Sequence, residues 1–135
     1  MAKKNKEQYI RQNREFLEAL RKEEGVQELR GGVLYKVIES GDGSGTVTPR
    51  SIVSCYYKGS LINGKVFDDA LGRGYPVAFR INELISGFQI ALVNMHIGDH
   101  WLVYIPAEMG YGMRGDSTIP GGSTLIFEIK LASIG

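Results

Sequence analysis

A break in glycine and proline usage constrains this chain more than any other feature. Residues 1–24 contain neither, whereas all eighteen glycines and all four prolines lie from Gly25 onward. Asn5 to about Glu24 is dense in Lys, Glu, Arg, Gln, Leu and Ala, residues that lose little side-chain freedom in a helix. One helix is expected there. Tyr9, Ile10, Phe16, Leu17 and Leu20 make an apolar stripe on this otherwise charged rod, and such a face requires a cover. Either the stripe docks on the chain's own domain or is partly disordered, or a second copy covers it in a weak homodimer. Two to three heptads interrupted by charges are too few to define a coiled coil. Gly25 reads as the helix stop and Gly31-Gly32 as a hinge uncoupling the helix. The chain thus divides into an N-terminal helical extension, residues 1–30, and a domain, residues 31–135, whose first strand starts near Val33.

Beyond the hinge, short β-rich runs alternate with turn residues, the pattern of an antiparallel sheet. Expected strands are Val33 to Glu39, Ser51 to Leu61, Lys65 to Asp68, Val77 to Arg80, His100 to Pro106 and Thr124 to Ser133. Asn63-Gly64 between Leu61-Ile62 and Lys65-Val66-Phe67 reads as a two-residue hairpin turn, with both residues at positive φ. The one helical pattern inside the domain opens at Ser86-Gly87-Phe88-Gln89, a Ser-x-x-Gln capping box, and runs to about Asn94. It is short and apolar, so burial is expected. An antiparallel sheet of five to six strands curled over one buried helix is an α+β architecture.

At 135 residues and 43% apolar content, the chain can build one sizeable core but not two ordinary domains. A net charge of +1 supplies no drive toward nucleic acid or a membrane surface. No apolar stretch follows the basic start Met1-Ala2-Lys3-Lys4, and no run approaches the roughly 18 residues of a membrane span. A soluble, cytoplasmic protein is expected, with a periplasmic home left open for a processed form. The single cysteine, Cys55, sits in the apolar run Ile52 to Tyr57 and reads as a buried small hydrophobe. His96 and His100 are separated by Gly98-Asp99, which breaks any shared helical face, so no metal is expected. Gly41-Asp42-Gly43-Ser44-Gly45 is followed by Thr46-Val47-Thr48-Pro49 rather than by a helix start, so it reads as a flexible loop and not a phosphate cradle. No cofactor is expected.

Taken singly, Tyr57 and Phe127 read as core residues and Asp68 as part of a solvated Asp68-Asp69 pair. The order and spacing of a larger set change that reading: Tyr56-Tyr57-Lys58-Gly59, Asn63-Gly64-Lys65-Val66-Phe67-Asp68, Arg73, Ile85-Ser86-Gly87-Phe88, Ile97-Gly98, Ile105-Pro106, Tyr111-Gly112, Ile119-Pro120 and Thr124-Leu125-Ile126-Phe127-Glu128. From about Gly32 to Ile134 the chain resembles the FKBP family of peptidyl-prolyl cis/trans isomerases, which bind macrolide immunosuppressants. The run from Lys22 to Ile38 is similar to the helix-to-domain junction of the bacterial Mip-like branch, whose members often dimerise through longer N-terminal helices. The resemblance implies a wrapped antiparallel sheet with a pocket between it and the short helix. That pocket would be lined by Tyr57, Phe67, Asp68, Leu84, Ile85, Phe88, Tyr111, Ile119 and Phe127. Phe88 stands where the family usually has a tryptophan, and Val77 where many members have a second aromatic residue. The loop around Asp116 replaces a segment that often carries histidine.

The chemistry needs no nucleophile or metal. An amide resists rotation by about 18–20 kcal/mol, and the two X-Pro isomers lie within about 1 kcal/mol of each other, so only the barrier needs lowering. The twisted transition state has lost conjugation and is less polar than the planar amide. An apolar cavity of Phe67, Phe88, Ile85 and Phe127 should therefore favour it. The Ile85 N–H could hold the substrate carbonyl while Tyr111 and Asp68 orient the peptide. A gain of five to six decades requires about 7–8 kcal/mol of differential stabilisation. The expected partners are proline-containing unfolded or flexible polypeptides and macrolide inhibitors, with no nucleic acid or membrane. The alternative is a non-catalytic peptide-binding module or holdase chaperone using the same groove.

Overall fold

The computed structural model describes residues 2–135, and side chains from Asn5 onward. Met1 and the side chains of Ala2 to Lys4, where the basic start lies, are outside the described residues. Helix α1 spans Ala2–Arg21. Strands follow at Gln27–Glu28 (β1), Leu34–Glu39 (β2), Ile52–Ser60 (β3), Val66–Asp69 (β4) and Val77–Arg80 (β5), then helix α2 at Ser86–Leu92, and strands His100–Ile105 (β6) and Leu125–Ile134 (β7). One antiparallel sheet runs β1-β2-β6-β7-β3-β4, with β5 also paired to β3. Its seven strands are the six expected ones plus the two-residue β1. Register shifts within β2, beside Val37, and within β3, at Ser54/Cys55 and Gly59/Ser60, add the local bend and twist that curve a sheet.

Alternation along β6 and β7 sends residues to two different cores. Val103, Ile105, Leu125, Phe127, Ile129 and Leu131 face Phe88, Ile90, Ala91 and Leu92 of α2 in the main core. On the opposite face Leu34 and Tyr104 are buried against Leu17 and Leu20 of α1, with Leu102, Ile126 and Phe16 at the margin. The stripe of α1 therefore docks on the chain's own sheet. Burying Leu17 and Leu20 contributes about 1.5–3 kcal/mol each. Among the described residues no helix is long and apolar enough to cross a membrane.

Several local expectations need correction. Among the described residues no non-glycine residue has positive φ, so Asn63-Gly64 is not a two-residue turn. The loop has three residues: the Gly64 N–H bonds back to Leu61 O, Gly64 alone takes φ +88°, and Leu61 N–H donates to Lys65 O. This is a type I turn followed by a left-handed glycine, and Asn63 contributes its side-chain oxygen to the Lys65 N–H. Ser86 is not a cap. The residue preceding α2 is Ile85, without a side-chain cap bond, and Gln89 Nε2 reaches back to Leu84 O at 2.6 Å. Gly25 does not stop α1, which ends at Arg21; it occupies a later turn closed by Val26 N–H to Glu23 O. The Gly31-Gly32 pair forms a tight turn with both glycines left-handed, at φ +74° and +79°, and Gly31 lies against Met109, where an added Cβ would come within 2.8 Å of the sulfur.

Candidate functional site

The hairpin and α2 converge on one cavity. Because β4 pairs with β3 in the register Gly59↔Asp68, Asp68 lies beside Tyr57, and the Tyr57 hydroxyl donates to Asp68 Oδ2 at 2.8 Å. Tyr57 is 8% exposed, and burial, reinforced by the neighbouring Asp68 carboxylate, pushes its phenol up to about 12. It remains a neutral donor at physiological pH. Asp69 instead shapes the loop that follows, its Oδ1 accepting the N–H groups of Leu71 and Gly72, so the two acids are not a solvated pair.

Tyr57, Asp68, Phe79, Glu83, Leu84, Ile85, Phe88, Tyr111 and Phe127 line a cavity of about 210 Å³. Phe88 is held from three sides, with ring centroids 5.0 Å from Phe127, 6.0 Å from Tyr57 and 6.0 Å from Phe79. These tilted and edge-on pairings each add about 0.5–1.5 kcal/mol beyond area burial and hold the rings in place. Ile85 directly precedes α2. Burial, with Asp116 and Asp68 nearby, also raises the Tyr111 phenol.

Of the ten residues singled out from sequence, seven line the cavity: Tyr57, Asp68, Leu84, Ile85, Phe88, Tyr111 and Phe127. Phe67 stands behind the wall, edge-on to Phe127 at 5.6 Å. Ile119 is packed into the main core at 4% exposure. Val77 pairs with Cys55 and packs on the core rather than the cavity. Sequence reasoning missed Phe79 and Glu83. Phe79 was detectable, since it is two residues beyond Val77 on the same face of β5, and it supplies the second aromatic residue whose absence Val77 had implied. Glu83 sits in the turn before α2 and carries no sequence signal.

Cys55 is fully buried and burial drives its thiol up to about 12, which leaves it an inert filler of the core. Among the described residues no group of three or more His, Cys, Asp or Glu side chains could hold a metal ion. The geometry offers apolar walls, one carboxylate already bonded to a phenol, and a second phenol at the rim.

A family model described as FKBP-type peptidyl-prolyl cis-trans isomerase matches residues 43–132. The chain is 41% identical over 121 residues to the FKBP-type 22 kDa peptidyl-prolyl cis-trans isomerase of Escherichia coli (strain K12), covering 88% of this chain and 58% of that protein. It is 38% identical over 123 residues to the peptidyl-prolyl cis-trans isomerase Mip of Coxiella burnetii, covering 90% and 53%. The chain thus spans little more than half the length of these curated relatives. Among solved structures, a peptidyl-prolyl cis-trans isomerase from Pseudomonas syringae superposes with TM-score 0.88 at 32% identity, over 96% of this chain and 95% of that one. FkpA from Escherichia coli gives TM-score 0.90 at 35% identity, over 98% and 62%. With the fold, the matched segment and these identities in agreement, the chain belongs to the FKBP-type peptidyl-prolyl cis-trans isomerase family.

Proposed function

We propose that this chain catalyses cis/trans isomerisation of X-Pro bonds in unfolded or flexible polypeptides, as a protein-folding catalyst. The observation that carries this reading is the aromatic cavity itself: Tyr57, Phe79, Phe88 and Phe127 close around a space about the size of one side chain, with the carboxylates of Asp68 and Glu83 at its edge. A proline ring seated among them leaves its peptide bond in a desolvated setting, where the less polar twisted amide is favoured over the planar one. Asp68, Tyr111 and the Ile85 N–H orient the chain on either side of the proline, and Leu84 and Glu83 border the entrance. Phe67 and Ile119 act from behind the wall. The same walls suit macrolide inhibitors that present a proline-like ring.

A holdase without catalysis would need only an apolar groove. The fixed geometry of Phe88 and the half-buried Tyr57–Asp68 pair favour a catalyst instead, because interactions that select one amide geometry require walls that do not yield. A weak homodimer through α1 would have to be built from Tyr9, Ile10 and Phe16, since Leu17 and Leu20 are already covered.

A protease-coupled assay on a short X-Pro peptide tests the reading. The expected result is a cis-to-trans rate that rises in proportion to protein concentration and is suppressed by a macrolide carrying a proline-like ring. A rate equal to that of the peptide alone, with the peptide nonetheless bound, would select the holdase reading.

A further inference from the structure

The rim of the cavity is tied to the N-terminal helix by contacts that packing alone does not require. Tyr111 begins a loop that returns at Thr124, and the loop is closed on itself: Gly122 N–H donates to Gly112 O, and Asp116 and Ile119 exchange two backbone bonds. The base of this loop rests on α1. Gly122, at φ +84°, lies so near Ile10 that an added Cβ would come within 2.6 Å of Ile10 Cγ1.

Two hydrogen-bonded connections fix that base. Ser123 Oγ donates to Pro120 O at 2.6 Å, which uses its one proton, so the Tyr9 hydroxyl 2.7 Å away must donate to Ser123 Oγ. Thr124 precedes β7, where the pairing of β6 with β7 has ended at Ile105↔Leu125, and its buried N–H has no strand to bond to. Asn13, 2% exposed on α1, supplies the acceptor: Thr124 N–H donates to Asn13 Oδ1 at 2.7 Å, while Asn13 Nδ2 donates to Tyr9 O at 2.8 Å.

We infer that Tyr9 and Asn13 are positioning residues for the isomerase site, acting through Ser123, Pro120 and Thr124 to hold the loop that carries Tyr111 at the cavity rim. The helix is then a functional part of the site and not an appendage. The consequence rests on the catalytic reading above; the clamp itself does not.

The test compares the full chain with its Tyr9→Phe, Ser123→Ala and doubly substituted variants, using amide hydrogen exchange and the KM and kcat of a short X-Pro peptide. Removing the Tyr9–Ser123 bond should speed exchange across Tyr111 to Gly122 about three- to tenfold, the net worth of one hydrogen bond, and leave β3 and β7 unchanged. KM should rise about as much, with kcat nearly constant, and the double variant should match the singles. Asn13→Asp, which keeps the acceptor for Thr124, should stay closer to the unsubstituted chain than Asn13→Leu. Unchanged loop exchange, acceleration spread evenly over the sheet, or a looser loop with unaltered KM would each overturn the inference. Were the unsubstituted chain itself inactive, the catalytic reading would fail, while the exchange pattern would still decide the clamp.

Discussion

Asp68 serves two masters, the Tyr57 phenol it already accepts from and the peptide it is proposed to orient, and substitutions can separate them. Asp68→Leu removes both, so kcat/KM should fall about 10- to 100-fold, with about 1 kcal/mol of stability lost because the buried Tyr57 hydroxyl loses its acceptor. Asp68→Asn retains an acceptor for Tyr57 and should recover the stability but only part of the rate. Equal rates for Asn, Leu and the unsubstituted chain in a peptide assay would remove Asp68 from the site. Tyr57 also predicts a pH dependence. Its pKa in the fold is raised to about 12 from an unfolded value of about 10, so between those values the native state holds the proton more tightly. The stabilisation is fully present below about pH 10 and is lost as pH rises toward 12. Denaturant midpoints measured from pH 8 to 11 should decline at the upper end, and Tyr57→Phe should flatten that decline.

At the level of elements, the hairpin depends on a glycine that makes room, Gly59, as well as on Gly64, which makes its turn. Gly59 sits opposite Asp68, and a Cβ there would meet Phe67 Cζ at 2.6 Å and Phe127 Cε1 at 2.8 Å. Gly59→Ala should therefore cost about 1–3 kcal/mol through overpacking and lower activity by displacing Phe127 from the cavity wall. Thermal unfolding and peptide turnover measured together check both, and a variant unchanged in each would mean that the wall yields. The strands are legible in the sequence because alternation and turn residues coincide: β5 matches its expected span, Val77 to Arg80, to the residue. The ends and caps are not legible, because they depend on single hydrogen bonds. Gln89 reaching Leu84 O, and Asn63 bonding Lys65 rather than adopting positive φ, leave no trace in spacing. Val77 stands in for Phe79 in the sequence reading because residues i and i+2 share a strand face, and only the sheet's curvature decides which of them meets α2.

For the molecule as a whole, the boundary near residue 30 divides the sequence more cleanly than it divides the packing. A charged helix beyond a Gly-Gly pair reads as separable, yet Leu17 and Leu20 cover Leu34 and Tyr104, and Asn13 completes the start of β7. Those links are long-range in sequence and side-chain specific, which is why composition does not reveal them. Removing residues 1–30 should lower stability by about 3 kcal/mol or more through re-exposed apolar surface, and peptide turnover should weaken with it. Calorimetric unfolding of the shortened chain checks this, and an unchanged midpoint would show that the second core contributes nothing.

If these aromatic walls lower the X-Pro barrier, a small amount of protein must turn over many peptides. Exchange NMR on a short X-Pro peptide, with the protein at about one hundredth of the peptide concentration, measures this most directly. The uncatalysed isomers interchange over tens to hundreds of seconds, too slowly to exchange on that timescale. Cis/trans cross-peaks should appear with the protein and weaken with Asp68→Leu. Peptide shifts that report binding at stoichiometric protein, without cross-peaks at any concentration, would contradict it.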